Sequence, residues 1–111
     1  MAFDTITPIR MGQGEIPLAA GVMYTVPYLQ LDILKSIDIA NTNAAPSRAS
    51  IYLVPSGGVP SSANVIIPNV LIPGYGIFQW SGTQVMDAGW TIQAISSVSG
   101  VSFNASGGGA I

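Results

Sequence analysis

The sequence predicts an all-β protein, an antiparallel β-sandwich or jelly-roll-like fold of about seven to eight short strands with extended terminal arms. The first supporting observation is a recurring alternation of apolar and polar residues, as from Val101 to Ser106, which is the period of a half-buried strand. The second is the spread of eight Pro and thirteen Gly residues along the chain, which leaves little room for helices. Two half-polar sheets can then bury one face each.

The strands are predicted between clusters of turn residues. We expect extended segments over residues 3–10, 22–26, 33–40, 48–54, 64–72, 76–81, 90–97 and 101–106. In the third of these, Ile33, Ile37 and Ile39 are assigned to one face of the strand. Ser36 and Asp38 are assigned to the other face. The β-branched Ile residues favour a strand over a helix in this segment.

Glycine and proline residues mark the predicted breaks. Gly12 and Gly14 are expected to interrupt the chain after the first segment. The pair Pro73-Gly74 is expected at the centre of a type II turn.

The chain is predicted to form one β-sandwich domain over residues 1–111. Residues 1–20 are predicted to be an N-terminal arm or an edge segment, since Pro8 is poorly suited to a central strand. The glycine-rich residues 107–111 are expected to form a flexible tail. The first fifteen residues lack the apolar region of a secretory signal, and no apolar run approaches the ~20 residues of a spanning helix.

Charge is unusually scarce. Asp, Glu, Lys and Arg make up 7% of the chain, and the net charge is −2. Three cations are too few for a nucleic-acid or membrane surface, so neither is an expected partner. A protein with so little repulsive charge is better suited to an assembly than to life as an isolated monomer.

The residues that carry most enzyme chemistry are missing. The chain has no His and no Cys, which excludes the usual nucleophile pairs and zinc sites. We therefore predict no enzyme activity, no catalytic residue, no cofactor and no metal. A calcium site at Asp38, Asn41 and Asn43 is the alternative to an ordinary turn, which Asn and Asp residues favour through bonds to the local backbone.

Three aromatic residues allow a second alternative, a sugar-binding platform. Tyr75, Trp80 and Trp90 could stack on the apolar face of a sugar. The favoured interpretation is core packing, because Trp80 follows Phe78 at the spacing of one strand face.

Several segments resemble the small structural proteins of tailed bacteriophages. They are residues 51–58, 79–89 and 91–94, with 3–11 and 37–42. Length and style are most similar to the capsid decoration, or staple, proteins of epsilon15-like phages. The likeness covers most of the chain but consists of strand and turn patterns.

The resemblance implies a virion structural protein on the outer capsid surface. Such a protein would bind the major capsid protein, bridge neighbouring subunits and stabilise the particle. It would act as a homo-oligomer, with a dimer across a local twofold favoured. The alternative is a neck, tail or receptor-binding virion module whose loops contact a glycan.

The predicted partner contacts lie in an N-terminal arm, a proline-bounded loop and the tail. They are Phe3, Ile6, Ile9, Arg10, Pro55, Pro60 and Ile111. For Phe3, Ile6 and Ile9, packing on the protein's own sheet is an equally good interpretation, since N-terminal strands are often tied into a fold.

Overall fold

A computed structural model describes residues 6–110. Over that range the chain forms eight strands and no helix, as the sequence predicted. The strands are β1 (Ile6–Glu15), β2 (Gly21–Thr25), β3 (Leu31–Asn41), β4 (Ser47–Val54), β5 (Val65–Ile72), β6 (Ile77–Met86), β7 (Thr91–Ser96) and β8 (Val101–Ala110). Among these residues no helix is long and apolar enough to cross a membrane.

The strands form two four-stranded antiparallel sheets. One has the order β1-β8-β3-β6 and the other β2-β7-β4-β5. Only the β4–β5 connection stays within a sheet, and each of the others crosses to the opposite sheet. Eight strands with this connectivity make a jelly roll, so the predicted sandwich is confirmed.

The core fills the space between the sheets. Ile51 on β4, Ile92 on β7 and Phe103 on β8 are fully buried. Removing a side chain of this size from water contributes about 1.5–3 kcal/mol. The alternation predicted from Val101 to Ser106 is confirmed, because Val101, Phe103 and Ala105 are all buried.

The predicted facing of β3 is wrong at its first half. Leu34 is fully buried, whereas Ile33 is only half-buried and Lys35 is exposed. A register shift between Leu34 and Ser36 against both neighbouring strands moves the inward set from even to odd positions. Such a bulge adds a residue to one strand, so a strict period of two across it fails.

The glycine-rich segment is not a flexible tail over residues 107–110. These residues form the second half of β8, which pairs with β1 on one side and β3 on the other. At Gly107, an added Cβ would lie 2.0 Å from the carbonyl oxygen of Ile33. The glycines are therefore required by close approach of a neighbouring strand rather than by mobility.

The described part of the N-terminal segment is an edge strand rather than an arm. β1 runs through Gly12 and Gly14 to Glu15, with a register shift between Arg10 and Gln13. Gly12 has φ +97, and a Cβ there would lie 2.6 Å from the Met23 carbonyl oxygen. The glycines bend the strand at this bulge instead of ending it.

The loops gather at the two ends of the sandwich. Loops 26–30, 55–64 and 87–90 lie at the end where β1 begins and β8 ends, which we call the three-loop end. Loops 16–20, 42–46, 73–76 and 97–100 form the opposite, four-loop end. The two ends lie roughly 30 Å apart, measured along β3.

Candidate interaction surfaces

At the three-loop end, the 26–30 loop carries two apolar side chains into solvent. Tyr28 is 86% exposed and Leu29 is 56% exposed. Leu29 also has φ 61, in the left-handed region that a branched side chain disfavours. Holding it there costs on the order of 1–3 kcal/mol. Neither side chain adds to the core.

A buried polar cluster fixes this loop to the sandwich. Asp32 is fully buried and accepts hydrogen bonds from the Tyr24 hydroxyl and, at 2.5 Å, from Gln30 Nε2. Gln30 is the last residue of the loop, so the carboxylate anchors its return to β3. An anchored loop loses less conformational entropy when it binds a partner.

The same cluster explains one residue of the glycine-rich strand. A Cβ at Gly109 would lie 2.7 Å from Gln30 Nε2 and 3.0 Å from Asp32 Oδ1.

The cluster also shifts the pKa of the Tyr24 phenol. Burial, followed by the hydrogen bond to Asp32 and the negative charge of Asp32, raises this pKa above its ordinary value of 10.0.

The 87–90 loop braces the 26–30 loop, and the 55–64 loop is held by a bond of its own. The amide of Gly89 donates to the carbonyl oxygen of Val26 at 3.0 Å, and the Val26 amide donates to Trp90 at 2.9 Å. In the 55–64 loop, Asn64 Nδ2 donates to the carbonyl oxygen of Val59 at 2.9 Å, while the Val59 side chain remains 71% exposed. The end therefore presents apolar side chains on an ordered backbone.

The four-loop end repeats the pattern with Tyr75. This residue has φ 57 and is 75% exposed, so a strained backbone again displays a large side chain. The Gly76 amide donates to the Pro73 carbonyl oxygen at 2.9 Å, which places Gly74 and Tyr75 at the centre of the turn. The predicted centre at Pro73-Gly74 is therefore wrong by one residue. Leu18 and Val98 are exposed on neighbouring loops of this end.

Hydrogen bonds join three loops of this end into one unit. Asn41 is buried and its Nδ2 donates to the carbonyl oxygens of Ala45, Ile72 and Pro73 at 2.9–3.2 Å. Asn43 Nδ2 donates to Ser99, and the Asn43 carbonyl oxygen accepts from the Tyr75 amide. Glu15 Oε1 adds to the unit by accepting from the Gly100 amide at 2.7 Å.

These bonds match the ordinary turn that the sequence favours at Asn41 and Asn43. The side chain of Asn41 is used by the backbone, and its Oδ1 accepts from the Asn43 amide at 3.0 Å in an Asx turn. Asp38 lies on the exposed face of β3. Within residues 6–110, no three acidic residues come together as metal ligands would.

The aromatic residues do not form one platform. Trp80 on β6 and Trp90 before β7 are both half-buried and pack against the core, as the favoured interpretation had it. Tyr75 lies at the four-loop end, whereas Trp90 lies at the three-loop end. The two ends are separated by the length of β3, which a single sugar ring cannot span.

The structure brings part of the predicted contact set together. Ile6 begins β1 opposite Ala110, and Pro55 and Pro60 lie in the 55–64 loop at the same three-loop end. Phe3 and Ile111 lie outside the described residues. Ile9 is half-buried against the core, which matches own-sheet packing. Arg10 is exposed on β1, and its Nη1 donates to Asn104 Oδ1 at 3.2 Å.

The partner contacts predicted from the sequence do not include Tyr28, Leu29 and Tyr75. Each sits in a turn beside a proline, as in Pro27-Tyr28-Leu29 and Pro73-Gly74-Tyr75. Large apolar residues at turn positions are the signal that would have found them, since turns usually carry small or polar residues.

Comparison with known proteins finds similarity in structure but not in sequence. No protein family matches the chain, and no curated protein does. A chain in the structure of infectious bursal disease virus, Gx strain, superposes with a TM-score of 0.52 at 12% identity over 96% of this protein. The fold is one found in a virus. A chain from the Gt strain of that virus gives a TM-score of 0.48 at 9% identity over 98% of this protein.

The jelly roll accounts for only part of those viral chains. This protein spans 32% of the length of each. At 12% identity the likeness concerns the path of the backbone, and no residue role follows from it.

Proposed function

We propose that the protein is a structural component of a bacteriophage particle, a decoration protein that binds the outside of the capsid. It bridges major capsid subunits and so stabilises the shell against internal pressure. It works as a homo-oligomer, with a dimer favoured, and it has no catalytic step.

The observation that carries the proposal is the fold shared over 96% of the chain with part of a virus structure. Jelly rolls of this size are recurrent in capsid and lectin domains. The resemblance of the 51–58 and 79–89 segments to small tailed-phage structural proteins supports the phage assignment over a lectin.

Adhesive tips at both ends support bridging in particular. Leu29 and Tyr28 project from one end, and Tyr75 projects from the other, with roughly 30 Å of sheet between them. Two separate contact points allow one molecule to hold two subunits, and each contact raises the effective concentration of the other.

Charge supports the outer surface as the location. A chain with net charge −2 and three cations gains nothing from packaged DNA. An absence of His and Cys from the whole sequence supports adhesion rather than catalysis.

The test uses particles that lack the protein. Purified protein is added back, and particle melting and cryo-electron microscopy are recorded with the wild type and with three variants. Tyr28→Ser combined with Leu29→Asn tests the three-loop end, and Tyr75→Ser tests the four-loop end. Val22→Ser, at an exposed position on β2, is the control.

Bridging requires that either end variant lowers the particle melting temperature to that of bare shells while the control does not. Equal stability of bare and decorated particles would refute the proposal. A copy number of about a dozen per particle, rather than hundreds, would indicate a neck, tail or receptor-binding module instead.

A further inference from the structure

The two sheets have four edge strands, and three of them are protected against pairing. Natural edges are protected by prolines, charges, bulges or shortness. β1 carries Pro8, Arg10 and a bulge. β5 carries Pro68 and a left-handed Asn69, and β2 has only five residues with a register shift.

β6 is the exception over its first half, because its own register shift lies further along, between Ser81 and Gln84. Its ten residues include no proline and no charged residue. From Ile77 to Ser81 it pairs with β3 without irregularity. Its other side has no strand partner in the sheet order.

The hydrogen-bond alternation identifies which backbone groups are unpaired. The Asn41 amide donates to the Gly76 carbonyl oxygen at 2.9 Å, so even-numbered positions of β6 point their backbone groups toward β3. The odd positions point theirs away from the sheet. They are Ile77, Gln79 and Ser81.

We propose that β6 pairs with β6 of a second copy, antiparallel, about a twofold axis at Gln79. This inference rests on the proposed dimer and identifies its interface. In this register Gln79 faces Gln79 of the partner subunit, and Ile77 faces Ser81 of the partner subunit. Each of the three residues donates and accepts one backbone hydrogen bond, and the sheet continues across both copies.

Self-pairing fits this edge for two reasons. An uncharged strand can pair with its own copy without like-charge repulsion. A strand that carries Lys or Asp would bring like charges together. On the inner face, Phe78 and Trp80 are only half-buried against the core at this edge. The register sets Phe78 opposite Trp80 of the partner subunit, so the exposed parts of both rings are covered.

The experiment measures self-association of the purified full chain by sedimentation velocity. Gln79→Lys places two like charges on the axis and is expected to weaken the dimer by more than about tenfold. Gln79→Glu does the same. Mixing the two variants restores a dimer, which also shows that each one folds. Gln13→Lys, the same change at an exposed site on β1, is the control and dimerises like the wild type.

Amide hydrogen exchange adds a second readout. The amides of Ile77, Gln79 and Ser81 become protected only at concentrations where the dimer forms. A dimer that persists in Gln79→Lys, or that fails equally in Gln13→Lys, overturns the β6 interface while leaving the proposed dimer in place. A wild type that stays monomeric both in solution and on particles overturns both. Shell binding by the wild type separates these results from failure of the capsid proposal.

Discussion

The hydroxyl of Tyr24 on β2 donates a hydrogen bond to the carboxylate of Asp32 on β3. Asp32 itself has no exposed surface. The bond joins one sheet to the other beneath the loop that displays Leu29. A buried carboxylate is costly unless it is hydrogen-bonded, so the stability of the fold depends on keeping its donors.

This pair predicts a loss of stability in alkaline solution. Because the Tyr24 pKa is higher in the folded than in the unfolded state, its contribution is fully present below pH ~10 and is lost as the pH rises above that value. The unfolding free energy from urea melts should fall with pH above ~10, and less steeply in Tyr24→Phe. Tyr75→Phe, at an exposed site, should follow the wild type. Equal slopes in all three proteins would contradict the prediction.

Gly109→Ala should destabilise the protein. The new Cβ would press against Gln30 Nε2 and Asp32 Oδ1, and the cost of such overpacking is about 1–3 kcal/mol. Ser102→Ala, at a half-buried site in the same strand, is the control and should change the free energy of unfolding by less than about 1 kcal/mol. Thermal melts measure both. A neutral Gly109→Ala would show that the cluster can shift without loss.

Two buried serines should respond in opposite directions to replacement by alanine. Ser47 Oγ is buried with no hydrogen-bond partner among the described residues, so Ser47→Ala should stabilise the fold by about 1 kcal/mol. Ser96 Oγ donates to the Val98 carbonyl oxygen at 2.7 Å, so Ser96→Ala should destabilise it by a similar amount. Melting temperatures that fall equally in both variants would disprove the difference.

Leu29→Asn should separate stability from adhesion. Asn tolerates the left-handed conformation better than Leu, so the melting temperature of the isolated protein should stay level or rise. Binding to bare particles should weaken, because the exposed side chain is lost. Leu71→Asn, at another exposed leucine that lies on β5, is the control. A variant that loses stability while keeping full binding would assign Leu29 to folding alone.

The sequence predicts the strands well because most of them keep a strict alternation. Val101 and Phe103 on β8 are buried as expected. The alternation fails at Leu34 because a bulge is a backbone event shaped by β6 and β8, and no local pattern encodes it.

The glycines of β8 show a second limit. Composition assigns Gly107 to flexible chain, yet the segment is fixed by strands that are distant in sequence. The candidate surfaces are hidden for a related reason. The sequence shows Leu29 and Tyr75 beside turn prolines, but their positive φ and their exposure are properties of the folded backbone.

The position of β8 between β1 and β3 makes the first sheet depend on contacts that are distant in sequence. β1 and β3 leave the ribosome early but do not touch each other as strands, because β8 lies between them. Ile6 pairs with Ala110, so this contact joins residues separated by almost the whole described chain. The first sheet is therefore closed by a contact between the two ends of the described chain, and contacts so distant in sequence are typical of folds that form slowly.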